Sequence, residues 1–111
     1  MSVECIKDAC LEETGFSYTM SVIQGKYKMF ILYALMGFGV VRFNEMKKYI
    51  GSISYKTLSS TLKELEADGL VHREEYTQIP SKVEYRLTAL GKSLIPILEQ
   101  MCTWGEEHRV V

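Results

Sequence analysis

Two lysines and a serine, Lys56, Ser60 and Lys63, are spaced so that one helix could bring positive charge against a nucleic acid. From Ser54 to Asp68 the chain reads SYKTLSSTLKELEAD. At about 100° per residue, a helix that buries Leu58, Leu62 and Leu65 gathers Lys56, Ser60 and Lys63 on its opposite face, within roughly 60° of one another. That face carries two ammonium groups, one hydroxyl and no carboxylate. A lysine can reach a phosphate or the O6/N7 edge of guanine, and a serine can donate or accept at any base edge. Tyr55 and Ser59 flank the face. Ser54 stands where a hydroxyl can cap the helix by accepting an orphan backbone N–H. With no Arg, Asn or Gln there for bidentate contact, base discrimination must lean on DNA shape as well as direct reading.

Such a helix needs a scaffold, and the flanking residues supply one. Phe43 to Ile50 reads as a preceding helix, burying Phe43, Met46 and Ile50, with Gly51 to Ile53 as the turn between the two. Arg42, Asn44, Lys47 and Lys48 surround this supporting helix, where contacts to the DNA backbone fix register. Upstream, Phe16 to Gln24 reads as a short helix with Phe16, Met20 and Ile23 at helical spacing. Lys26 to Met36 follows as a strongly apolar helix, with Phe30, Ile31, Ala34 and Leu35 expected to anchor the core. Lys26 and Lys28 open it, expected in solvent or against phosphates. Val40 to Arg42 fits a very short strand.

Downstream of Asp68-Gly69, two strands are expected at Leu70 to Tyr76 and Lys82 to Leu87, with a projecting loop between them. On that hairpin Lys82, and with it Arg73, could reach an adjacent groove, while Arg86 is expected to pair with a carboxylate across the strands. Thr88 should cap a last helix running to about Glu107, bent at Pro96. Along it Leu90, Leu94, Ile97, Leu98, Met101 and Trp104 form a stripe too broad for one small domain to cover, which predicts a homodimer seam. The expected fold is mainly α with a small β-hairpin wing (α+β), a winged helix-turn-helix dimeric through its terminal helices. Its parts are an arm over residues 1–15, a DNA-binding domain over 16–88 and a dimerisation helix over 89–111, all within one compact domain.

The 111 residues carry a formal net charge of −1, but the charge is unevenly distributed. Between Gln24 and Lys63 seven lysines or arginines face the single carboxylate Glu45, and acidic segments lie on either side. A basic centre between acidic flanks attracts DNA while the total stays near zero. No Gly-rich phosphate loop, nucleophile with a base at motif spacing, or paired carboxylate set is present, so catalysis has no support. Cys5, Cys10 and Cys102 form neither a CxxC pair nor a zinc-ligand set, and His72 and His108 stand apart from them. No cofactor or metal is therefore expected. The longest apolar stretch, Met29 to Met36, is too short to cross a bilayer, and the acidic opening MSVECIKDACLEE does not read as a secretory signal. No membrane partner and a cytoplasmic location are the expectations.

Five segments, in order, carry a family resemblance: GKYKMFILYAL (Gly25 to Leu35), RFNEMKKYI (Arg42 to Ile50), ISYKTLSSTLKELEADGLV (Ile53 to Val71), VEYRLTALGKSLIPIL (Val83 to Leu98) and WGEEH (Trp104 to His108). In these the chain resembles the HxlR-type winged helix-turn-helix transcriptional regulators of bacteria. The resemblance implies a homodimer on an inverted repeat of promoter DNA, with Ser54 to Lys63 as recognition helix and Thr77 to Lys82 as wing tip. Many members of that family sense oxidants through a cysteine ahead of the first core helix. Here that position is Thr14, which cannot form a thiolate, leaving Cys5 or Cys10 in the arm as substitutes. A small-molecule or oxidant effector is compatible with the resemblance, and its identity is not legible. Two other readings stay open: a winged-helix protein-interaction module without DNA binding, and a thiol-based redox switch.

Overall fold

Leu58, Leu62 and Leu65 are all buried, and the helix that carries them is continuous from Tyr55 to Ala67. A computed structural model describes residues 10–110. After a 3-10 turn at Leu11–Glu13, the elements are α1 (Gly15–Ile23), α2 (Lys26–Phe38), β1 (Val40–Arg42), α3 (Phe43–Ile50), α4 (Tyr55–Ala67), β2 (Val71–Tyr76), β3 (Lys82–Leu87), α5 (Ala89–Lys92) and α6 (Ile95–His108). The three strands form one antiparallel sheet in the order β1-β3-β2. This is a mostly helical winged helix-turn-helix with a small sheet.

The core is built where α2, α3 and α4 meet. Ile31, Leu32 and Leu35 of α2 pack with Met46 of α3 and with the α4 leucines, all essentially solvent-free. Phe43 and Ile50 are half-buried at the edge of this core. The turn between α3 and α4 is set by Gly51 at φ +80°, a left-handed conformation that disfavours any other residue. Its N–H returns to the Lys47 carbonyl at 2.9 Å, ending α3. The Tyr27 hydroxyl donates to the Ser52 carbonyl at 3.2 Å, fastening this turn to α2.

Four expectations need correction. Phe30 is 44% exposed rather than a core anchor, because the buried stripe of α2 centres on Ile31 and Leu35 and leaves Phe30 at its margin. Phe16 and Met20 are also exposed; only Ile23 of that spacing reaches the core. Arg86 has no carboxylate opposite it, since the strand register pairs it with His72 on one side and Val40 on the other.

The expected single C-terminal helix is two helices. The Thr88 hydroxyl accepts the Gly91 N–H at 3.0 Å to cap α5, and the chain then turns at Ser93 and Leu94 before α6 begins. Pro96 falls in the first turn of α6, where its missing N–H costs nothing. It therefore starts a helix instead of bending one. Gly91 is buried so tightly that a Cβ there would meet the Leu70 carbonyl oxygen at 2.1 Å. That close approach locks α5 onto the start of the wing.

Candidate nucleic-acid interface

Lys56, Ser60 and Lys63 all stand exposed on α4, opposite the buried leucines. Ser54 caps the helix as its sequence position requires: its Oγ accepts the Thr57 N–H at 3.1 Å and donates to the Thr57 hydroxyl at 2.9 Å. That hydroxyl is committed to the helix terminus. The Ser60 Oγ donates to the Thr57 carbonyl at 3.1 Å, leaving its lone pairs to accept from outside. Ser59 is half-buried and lines, with Lys63 and Arg73, a recess of about 360 Å³ between α4 and the sheet.

Tyr55 is held rather than loose. Its ring stacks on Phe43, 13° from parallel with centroids 6.2 Å apart, and the Lys47 Nζ lies 4.8 Å from its centroid. A cation over an aromatic face is attracted by the ring quadrupole, so α3 and the start of α4 are joined at the surface as well as in the core. Lys47 and Lys48 also sit in the last turn of α3, where the helix dipole favours cations. Asn44 and Arg42 are exposed at its other end, with the Arg42 backbone N–H donating to Glu45 Oε1 at 2.8 Å.

The cations divide into two groups. Among the described residues, no carboxylate lies within ion-pair distance of Lys26, Arg42, Lys47, Lys48, Lys56 or Lys63. On the wing, Arg73 pairs with Glu75 at 3.5 Å and Lys82 with Glu84 at 3.4 Å. Lys82 also lies 4.7 Å from the Tyr76 ring centroid. Hydrogen bonding to Tyr85 holds the Arg73 guanidinium above its ordinary pKa, and hydrogen bonding to Glu84 pushes the Tyr76 phenol up. The positive surface is therefore concentrated on the helix-turn-helix, and the wing is neutralised from within.

Sequence reasoning missed Lys28. It is not a solvated or phosphate-facing residue: its side chain is only 12% exposed, and its Nζ lies 3.4 Å from Glu64 and 4.0 Å from Asp68 of α4. The available signal was its spacing, three and seven residues ahead of the buried Ile31 and Leu35. Leu98 was misassigned. It is 5% exposed and belongs to the chain's own core, with Leu94 packed half-buried beside it, so neither offers a seam as expected. Leu90 is exposed on α5, separated by the helix break from Ile97, Met101 and Trp104, which remain exposed together along α6. Cys10 is exposed and Cys102 half-buried; Cys5 lies outside the described residues, as does most of the expected 1–15 arm. Among the described residues no three His, Cys, Asp or Glu side chains gather to hold a metal, and no helix is long and apolar enough to cross a membrane.

An exposed cationic helix on a three-helix core, followed by a hairpin, defines a winged helix-turn-helix regulator. The HxlR-like helix-turn-helix family model matches residues 22–110. The chain belongs to this family and is a transcriptional regulator of the HxlR type, not an enzyme. It is 56% identical over 99 residues to an uncharacterised HTH-type transcriptional regulator of Halalkalibacterium halodurans, covering 89% of this chain and 88% of that one. Among solved structures it is similar to the redox regulator HypR in its oxidised form, with a TM-score of 0.82 and 47% identity over 88% of this chain and 100% of that one. It is also similar to the reduced form of the transcriptional regulator YodB from B. subtilis, with a TM-score of 0.74 and 31% identity over 89% and 93% of the two chains.

Proposed function

We propose that the chain binds duplex DNA as a homodimer, on a two-fold repeat within promoters, and regulates transcription from there. The observation that carries this reading is the group of cations on α3 and α4, centred on Lys56 and Lys63, that have no ion-pair partner among the described residues. In this account Lys56, Ser60 and Lys63 enter the major groove with Tyr55 and Ser59 at its edge. Arg42, Asn44, Lys47 and Lys48 hold phosphates, Ser54 sets the start of the reading helix, and Lys82 gives the wing a secondary contact. The dimer forms through the face of α6 carrying Ile97, Met101 and Trp104, together with the exposed Phe16 and Met20 of α1. Each square ångström of apolar surface withdrawn from water there contributes about 25 cal/mol. The cytoplasm, where promoters lie, is the location that goes with this reading.

A salt titration of duplex binding tests it. If the dimer neutralises six to ten phosphates, affinity falls by about 10³ to 10⁵ between 50 and 200 mM salt. Absence of duplex binding at the lower salt, with the protein folded, would leave the protein-interaction reading in its place.

A second reading, a redox response, is favoured by the likeness to HypR and by the exposure of Cys10. It predicts a disulfide-linked dimer or modified thiol on non-reducing electrophoresis after mild oxidant, with altered DNA affinity. An unmodified chain whose affinity does not change would remove it.

A further inference from the structure

On the side of the core where α2 ends and β1 begins, Phe38, Val40, Val41, Glu45 and Tyr49 line a recess of about 330 Å³. Two aromatic rings and two valines share this recess with one carboxylate. Phe38 and Tyr49 meet edge to face, with centroids 4.9 Å apart and planes at 90°. Both rings and Val40 are at least half exposed, while Val41 forms a buried floor. Apolar groups gathered at one exposed spot leave unfavourable hydration that a ligand can relieve.

The aromatic geometry has a sign. An edge-to-face pair covers one ring face and leaves the others bare, and a bare π face is electronegative. Glu45 adds a full negative charge on the same wall. Its Oε1 is fixed by the Arg42 backbone N–H at 2.8 Å, so the carboxylate is oriented. Among the described residues no Lys, Arg or His nitrogen lies within 4.0 Å of it. A phosphate or carboxylate ligand would be repelled here. A polyhydroxylated one would find little on these five side chains beyond the Tyr49 hydroxyl and Glu45 to bond.

We propose that this recess binds a hydrophobic monocation, a protonated amine or quaternary ammonium ion carrying an apolar group. The positive centre lies between Glu45 and an aromatic face, and the apolar group covers Val40 and Val41. Attraction of cations to aromatic faces, strengthened as water is displaced, is the recognition chemistry. Glu45 and Tyr49 stand on α3, which also carries Asn44, Lys47 and Lys48, so the occupant and DNA would bear on one rigid element. The site goes beyond the DNA-binding reading and does not depend on it.

The test titrates benzyltrimethylammonium into the whole chain without DNA, following the Phe38 and Tyr49 ring resonances by NMR. Neopentylbenzene, its uncharged isostere, is the control. The cation should give saturable shifts confined to the recess, with binding about tenfold weaker for the neutral isostere and for Glu45→Gln or Tyr49→Leu. Glutamine can still accept the Arg42 N–H, because this helix-start position takes either Glu or Gln, so Glu45→Gln keeps α3 intact. Equal binding of the two probes, binding unaltered in Glu45→Gln, or no saturable shift at these rings would overturn the proposal. Rings covered by a second copy of the chain would give that last result.

Discussion

The Lys28 ammonium lies 3.4 Å from the Glu64 carboxylate, joining the core helix α2 directly to α4. Asp68 stands 4.0 Å from the same nitrogen, and the lysine stem runs along the buried stripe of α2. The ion pair therefore helps set the angle at which Lys56 and Lys63 are presented. Glu64 and Asp68 are partly exposed, so the interaction falls between a surface pair and a buried one. Lys28→Met keeps the apolar stem and removes the charge. It should cost about 1–2 kcal/mol, read as a lowered midpoint in urea unfolding. An unchanged midpoint would mean that solvent screens the pair completely.

Glu84 restrains the wing. It faces Glu74 across the strands, pairs with Lys82 at 3.4 Å and holds the Tyr76 phenol above its ordinary pKa. Glu84→Gln retains an acceptor for Tyr76 and releases the Lys82 charge. Duplex affinity should rise, and the slope of log affinity against log salt should steepen by about one for each chain engaged. If affinity and slope both stay the same, the wing does not touch phosphate.

Gly91 and Gly37 should respond in opposite directions to alanine. A methyl at position 91 would meet the Leu70 carbonyl oxygen at 2.1 Å, whereas one at position 37 would meet nothing within 4 Å. Gly91→Ala should destabilise by about 3 kcal/mol or more through forced backbone movement. Gly37→Ala, inside α2, should stabilise by up to about 1 kcal/mol. Thermal unfolding of the two variants decides the matter; equal effects would contradict the packing of α5 on the wing.

Leu98 and Met101 distinguish the core from the dimer face proposed above. Leu98→Ala empties a packed site and should cost about 2–5 kcal/mol. Met101→Glu places a charge on the exposed face of α6 and should leave a folded chain that sediments as a monomer. A Met101→Glu variant that stays dimeric would move the interface elsewhere.

Much of this architecture was legible because it rests on local rules. The 58–62–65 leucine spacing, the Ser54 hydroxyl before the helix and Gly51 in the turn each fix one element by nearest-neighbour chemistry. What could not be read depends on the angle at which elements meet. Phe30 and Leu98 lie at the edges of apolar stripes, and only the packing of neighbouring helices decides which edge is covered. Pro96 fits a bend or a start equally well until the Ser93-Leu94 turn is known. Of the site, the exposed face of α4 was legible from periodicity alone. The internal pairing of the wing cations was missed, although Arg73 with Glu75 and Lys82 with Glu84 each stand two residues apart on one strand, where the side-chain period places them on the same face.

We propose that the carboxylate-free face of α4 holds the chain on DNA. Lys56→Glu combined with Lys63→Glu, measured for duplex affinity beside the unchanged chain at one fixed salt concentration, tests it most directly. Both side chains are exposed and unpaired among the described residues, so the unfolding midpoint should stay within about 0.5 kcal/mol. Affinity should drop by at least about 100-fold, because four positive charges set against the polyanionic duplex are reversed per dimer. A folded double variant that binds duplex DNA as tightly as before would contradict the account.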